Sequence, residues 1–350
     1  MRRIWVAGMI SLAACAPPVT ASGPSPAPHS TSSATPSASA PPDASGQEAM
    51  PGPGGLTLRQ EIGAVMMVGF KGVLSPAVVD DWRQHQFGGL IVVPVNQNAQ
   101  DPEAIRRLIQ SVRGVMAHPL LAATNQEGGT VCFPQTQVPC LAGARQAGAR
   151  GPTAVQSGMT TMSQGLKALG FDINVAPVAD VWDGTYPAMS DRSYGRDAAA
   201  VAQDVTAAIA GIHAAGMDAA VQSPGADVPT LRAAAAAHVD LIMVGDLGVP
   251  PLDASVAGSA LRTLRSGLGY SGVVVSDDLE ASPASSPQAS AAAVAFLENG
   301  GDMVIVGHHL DVADATYDAI HAALLSGAYP RPQLDASVQK LLSLGLRYMP

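Results

Sequence analysis

Apolar residues come in short bursts along this chain, each followed by a polar knot and then by a stretch with helical spacing. Eight bursts stand out, at 64–70, 89–94, 119–124, 171–177, 217–221, 239–244, 272–276 and 302–306. Most lack strict alternation of polar and apolar positions, as expected of parallel strands covered on both faces. Between them lie Ala-rich segments such as 101–117, 151–169, 198–215 and 287–298, and helices at 312–326 and 333–347 close the chain. Repeated β-α units over about 290 residues predict an α/β fold, a closed TIM-like (β/α)₈ barrel in one folded domain. The competing fold is a doubly wound open sheet, which would usually place a G-x-G-x-x-G loop after its first strand. The Gly69-Phe-Lys-Gly72 found there does not fit that pattern and reads as a turn.

The first residues break from this pattern. Arg2 and Arg3 form a basic start, 4–11 an apolar run, and Leu12-Ala-Ala-Cys15 a small-residue cleavage site ending in cysteine. The run is too short for a bilayer core, which takes about 20 residues. Residues 1–14 therefore read as a lipoprotein signal, with Cys15 as the acylated residue of an exported protein held on the outer face of the cell membrane. More than one acyl chain gives stable anchoring. From 15 to 55 the chain is Pro, Ser, Ala, Thr and Gly with few large apolar residues, so it reads as an extended tether to a barrel at 56–350.

Composition adds two limits. The chain has 47% apolar residues, enough for a large core, and a net charge of −9 with no run of Lys or Arg to follow a phosphate backbone. Nucleic acid is thereby a poor partner, and a monomer is expected. Cys132 and Cys140, the remaining cysteines, would lie in a compartment where disulfides persist, so a loop-closing bridge is expected; a zinc site would need further ligands, and no histidine lies between them. Ligand spacing elsewhere suggests no metal or organic cofactor.

In a closed barrel of this kind, chemistry sits where the strands end. The third burst runs into Asn125-Gln-Glu127, the fourth toward Asp180 and Asp191-Arg192, the fifth into Gln222-Ser-Pro-Gly, the sixth into Asp246, the seventh into Asp277-Asp278 and the eighth into His308-His309. Two adjacent carboxylates ending a buried strand are costly to desolvate, which makes Asp277-Asp278 the strongest local sign of a site; a doubled helix cap is the alternative. One side chain of the pair would face the barrel mouth while the other bonds backbone. Arg192 reads as a bidentate clamp for substrate oxygens or as an ion-pair partner of Asp191 or Asp180. Of the two histidines, one can shuttle protons near neutral pH, or one can face solvent while the other packs.

These residues carry a resemblance. The series Asn125-Gln-Glu-Gly-Gly129, Asn174-Val-Ala-Pro-Val-Ala-Asp180, Asp191-Arg-Ser-Tyr-Gly195, Pro251-Leu-Asp-Ala-Ser255 and Val275-Ser-Asp-Asp-Leu279 is similar, in order and spacing, to the family 3 glycoside hydrolases. Within that family it resembles the single-domain β-N-acetylhexosaminidase branch. The resemblance implies a retaining mechanism with Asp277 as nucleophile, substrate contacts at Arg192, Asp180, Asn125, Glu127 and Asp246, and an amino-sugar glycan such as a peptidoglycan fragment as ligand. It also shows where this chain departs. The branch has Lys-His-Phe-Pro-Gly-His-Gly after the fifth strand, followed by Asp-Ser-His with the acid/base histidine; here 221–227 reads Val-Gln-Ser-Pro-Gly-Ala-Asp, and the later segment is shortened within a loop expected over 222–232. Asn125 stands for a carboxylate and Asp246 for a histidine. Without its acid, such a site would lose about 10²- to 10⁴-fold in rate on ordinary glycosides. Asp227, Asp246 or His308 are the candidate substitutes. Weak or absent hydrolysis is thus expected, and a sugar-binding or scaffold lipoprotein without turnover is the alternative.

Overall fold

The computed structural model describes residues 50–185, 187–223, 228–245, 254–280 and 286–349. They lie in the compact unit Pro41–Pro350, whereas the unit Met1–Ala40 falls outside the described residues. The leader, Cys15 and the tether as far as residue 49 therefore have no structural description here.

Eight parallel strands close on themselves in sequence order: β1 (Met66–Val68), β2 (Gly89–Ile91), β3 (Leu121–Thr124), β4 (Ile173–Asn174), β5 (Asp218–Gln222), β6 (Leu241–Val244), β7 (Val273–Asp278) and β8 (Met303–Val306). The ring is sealed where β1 pairs with β8, with Met67 opposite Ile305. Every strand residue is buried except Asp278, which is half-buried. That two-sided burial is why the apolar bursts lack alternation. The fold is the expected TIM-like barrel. Most strands are shorter than their bursts, and two differ in ways that bear on the site. β4 is only Ile173–Asn174, and the ladder stops where the Ala176 N–H turns back onto the Asn174 carbonyl; β7 runs past Ser276 through both aspartates.

Helices pack outside the ring, and local sequence starts the first three. On α1 (Leu58–Ala64), Thr57 and Gln60 form a reciprocal capping box. On α2 (Pro76–His85), Ser75 accepts the Val78 N–H, and proline occupies the first turn. On α3 (Pro102–Arg113), Asp101 caps Ala104, and Ile105, Leu108, Ile109 and Val112 form the buried stripe. The following helices are α4 (Ala144–Gly148), α5 (Pro152–Ala168), α6 (Ala198–Ala214), α7 (Val228–Ala236), α8 (Ala254–Arg262), α9 (Ser286–Glu298), α10 (Leu310–Ser326) and α11 (Arg331–Gly345). α7 corrects the loop expected over 222–232: it begins at Val228, where an Ala-rich stretch with Leu231 and Ala234 facing the core favours helix. No helix among the described residues is long and apolar enough to cross a membrane.

The N-terminal rim of the ring, its foot, is built by one device used three times. Asp172, just before β4, accepts the N–H of Ala122, the second residue of β3, and pairs with Arg113. Asp240, just before β6, accepts the N–H of Ala219, the second residue of β5, and pairs with His213 at 2.7 Å. Asp302, just before β8, accepts the N–H of Val274, the second residue of β7, and pairs with Arg265. Each cation precedes the odd-numbered strand, so three consecutive parts of the chain meet at one carboxylate. Lys340 and Arg347, from the chain's final segment, add second cations to Asp302 and Asp240. At the seam, Arg331 at the start of α11 pairs with the buried Glu61 of α1, whose carboxyl burial pushes up to about 7 against the pull of Arg331.

Candidate active site

At the opposite rim, where the strands end, the ring opens into a cavity of about 430 Å³. Its walls include Asn125, Arg192, Gln222, Asp277, Asp278 and His308, and apolar surface comes from Ile91, Val175, Met243 and Ile305. A few polar groups converging over an apolar floor is the usual make-up of a small-molecule site. The third, fifth, seventh and eighth strands and the long segment after β4 all contribute. Four of the six polar groups are contact or catalytic residues expected from the sequence: Asn125, Arg192, Asp277 and His308.

Arg192 has a partner other than those expected. Its Nε donates to Glu127 Oε2 at 2.8 Å and its Nη2 to Glu127 Oε1 at 2.7 Å, a bidentate pair. Asp191 is otherwise engaged: it accepts the Thr130 N–H and sits against Gly129 and Gly143, where a Cβ on either glycine would overlap its carboxylate. Asp180 accepts the Ser223 hydroxyl at 3.2 Å, and its backbone carbonyl accepts that of Ser193. Gln222 completes the Arg192 network, donating to Glu127 Oε1 and to the Val175 carbonyl, both at 2.7 Å, and accepting from Arg192 at 3.1 Å. Burial alone would lower the Arg192 guanidinium, but Glu127, then Asp277 and Asp180, hold it above its ordinary value. Glu127, 5% exposed, thus lies beneath the cavity wall as a support for Arg192. The role of Gln222 is not readable from the sequence, since nothing local joins it to residues 127 and 192.

Asp277 and Asp278 take different roles. Asp277 is 8% exposed on the cavity wall, and its Oδ1 accepts the Asp278 N–H at 2.7 Å. Asp278 Oδ1 accepts two backbone N–H groups, of Glu280 and Gly307, each at 3.0 Å, and its Oδ2 lies 3.1 Å from His308 Nε2. Gly307 allows this approach, because a Cβ there would stand 2.2 Å from Asp278 Oδ2. A register shift between β7 and β8 over 275–278 turns the strand end, so Asp278 borders the cavity as well as bonding backbone.

His308 is held at both ring nitrogens. Asn96 donates its amide to the Gly307 carbonyl at 2.7 Å, which fixes its Oδ1 as the acceptor facing His308 Nδ1, also at 2.7 Å. Nδ1 must then donate, and Nε2 faces a carboxylate. The hydrogen bond to Asp278 raises the His308 pKa above its ordinary value, against burial. Both ring nitrogens are thus engaged within the protein. His309 next to it faces outward, paired with Glu280 and 3.1 Å from Lys71. Asp227 and Asp246 lie outside the described residues. Cys132 and Cys140 form a disulfide, with Gln126 donating to the Cys140 sulfur, and this braces the loop after β3.

A closed parallel barrel with an aspartate and an arginine-carboxylate network around a cavity at its strand ends has the layout of a barrel enzyme's active site. Comparison with known proteins narrows it. The glycosyl hydrolase family 3 N-terminal domain matches residues 57–223 and 224–344, and the chain belongs to that family. It is 27% identical over 301 residues to a β-hexosaminidase of Stenotrophomonas maltophilia, covering 75% of this chain and 89% of that protein. Among solved structures it superposes on a family 3 β-N-acetylglucosaminidase from a Paenibacillus species with a TM-score of 0.74 and 29% identity, covering 84% of this chain and 63% of the other. The chain thus spans less than two thirds of that longer protein. A β-N-acetylhexosaminidase from Beutenbergia cavernae aligns at TM-score 0.66 and 25% identity, covering 83% of this chain and 98% of the other.

Proposed function

We propose that this chain is an exported lipoprotein, anchored at Cys15 in the cell envelope, whose barrel binds a β-linked amino sugar of the peptidoglycan type and hydrolyses it slowly. The observation that carries this reading is the placement of Asp277, Arg192 and Asn125 around one cavity at the strand ends. In this reading the Asp277 carboxylate attacks the anomeric carbon to form a glycosyl-enzyme, which water then releases. The Glu127-Arg192-Gln222 network holds a fixed cation at the cavity wall for the sugar's oxygens. Departure of the leaving oxygen is the slow step, because an alkoxide leaves poorly without a proton donor. Both ring nitrogens of His308 are taken up by Asp278 and Asn96, which makes Asp227 and Asp246 the first candidate donors.

A second reading, a sugar-binding scaffold without turnover, is favoured by that same engagement of His308 and by the loss of both histidines from 221–227. One assay separates the two. Hydrolysis of an aryl β-N-acetylglucosaminide, whose phenolate needs little protonation, is measured for the wild type and for Asp277→Asn, alongside the thermal midpoint with added N-acetylglucosamine. Turnover that disappears in Asp277→Asn supports the slow enzyme. A sugar-dependent rise in midpoint without turnover supports the scaffold, and the absence of both overturns the sugar-handling account.

A further inference from the structure

The helices that follow the first and last strands carry a cluster with no part in the mouth of the barrel. Asp81 and His85 stand four residues apart on α2, so their side chains leave the same face of that helix. Asp314 reaches them from α10, far along the chain, and one donor atom from each residue lies within 4.8 Å of the other two. His85 Nδ1 is 2.9 Å from Asp81 Oδ1 and 3.5 Å from Asp314 Oδ1. Asp81 Oδ2 and Asp314 Oδ1 are both closed off from solvent without a hydrogen-bond donor. The imidazole is itself held in place, stacked on Phe87 at 5.3 Å and met edge-on by Tyr317 at 4.8 Å.

One imidazole proton cannot satisfy two converging carboxylates; either a proton shared between them or a divalent ion can. An ion bonded at about 2.0–2.1 Å sets neighbouring ligand atoms about 3.0–3.4 Å apart, and the two spacings at His85 straddle that range. An imidazole with two carboxylates suits zinc and its neighbours in the transition series better than calcium or magnesium, which take all-oxygen shells. The two negative charges balance the ion, and water fills the fourth position of a zinc-like centre. An ion here would join the two ends of the ring, because α2 follows β1 and α10 follows β8, the strands whose pairing seals it. We infer that Asp81, His85 and Asp314 form a divalent-cation site of the zinc type that clamps α2 to α10 across the barrel seam.

The test uses the full chain, stripped with a chelator and titrated calorimetrically with ZnCl₂, with CoCl₂ as an optical probe. The expected result is saturable uptake of one ion per chain, visible absorption from bound cobalt, and a rise of several degrees in thermal midpoint. His85→Gln should weaken uptake by at least about tenfold, the loss seen when even outer-sphere partners are removed. Asp314→Asn, at the half-exposed end of the cluster, should do the same and serves if His85→Gln does not fold. His308→Gln, on the far rim, should leave uptake unchanged, which separates this site from zinc held at the mouth. No stoichiometric uptake, or uptake indifferent to His85→Gln and Asp314→Asn, overturns the proposal in favour of a metal-free ion triad.

Discussion

The two rims of this barrel treat carboxylates in opposite ways. At the foot, Asp172, Asp240 and Asp302 each hold a backbone N–H of the preceding strand and at least one cation, so each charge is matched where it is buried. At the mouth, the guanidinium nearest Asp277 is clamped by Glu127, and the Asp277 carboxylate stays on the wall of the cavity. The foot is arranged to be inert. The mouth presents a charge on a wall where a ligand can meet it.

The sharpest way to break this contrast is to remove one charge from each rim. Asp277→Asn should lower aryl-glycosidase turnover by about three orders of magnitude or more, with a smaller change in thermal midpoint than a foot variant shows. At the foot, Arg265→Met should do the reverse. It removes one of the two cations at Asp302 and the donor to the carbonyls of Tyr270 and Gly272, at a cost of about 3 kcal/mol in urea unfolding, with sugar-induced stabilisation unchanged.

Glu127→Gln tests the boundary between the rims, since Glu127 is as buried as a foot residue but serves the mouth. A loss of about 1–3 kcal/mol in stability is expected from the exposed pairing fault, together with weaker sugar binding as Arg192 loses its fixed orientation. A variant that loses stability with sugar affinity intact would make Glu127 a foot-type residue. The smallest effect is in pH dependence. The hydrogen bond to Asp240 raises the His213 pKa above its ordinary value, so its stabilisation is full below about pH 6.5 and fades as pH rises through the folded value. Asp218, pushed up to about 7 by burial, adds a decline of the same sign between its ordinary value and that pH. The thermal midpoint should therefore fall from pH 6 to 8, and His213→Gln should flatten the slope.

The ring itself is legible because parallel strands covered on both faces leave uninterrupted apolar bursts, and all eight bursts overlap a strand. Asp277 is legible for a related reason: a doubled carboxylate at the end of such a burst has no cheap structural use. What escapes are pairings between distant segments. The sequence offers Arg192 its neighbour Asp191 or Asp180, whereas the fold brings Glu127 to it from another loop. Gln222 and the foot clasps have no local signature at all. Asp81 and His85 do have helical spacing, but their third companion arrives only when β8 closes on β1. Helix α7 departs from expectation outright, because Pro224 and Gly225 suggest a loop reaching 232, whereas the helix already begins at Val228.

The recurrence of the foot clasp at every second strand divides the ring into blocks of two. A clasp needs only a helix end, the strand after it and the residue opening the next strand, so β3 with β4, β5 with β6 and β7 with β8 can each be stapled before the circle exists. A growing chain would thus gain ordered pairs one after another. The first pair, β1 with β2, carries Gly88 where the others carry aspartate, and it must wait for the last pair to dock.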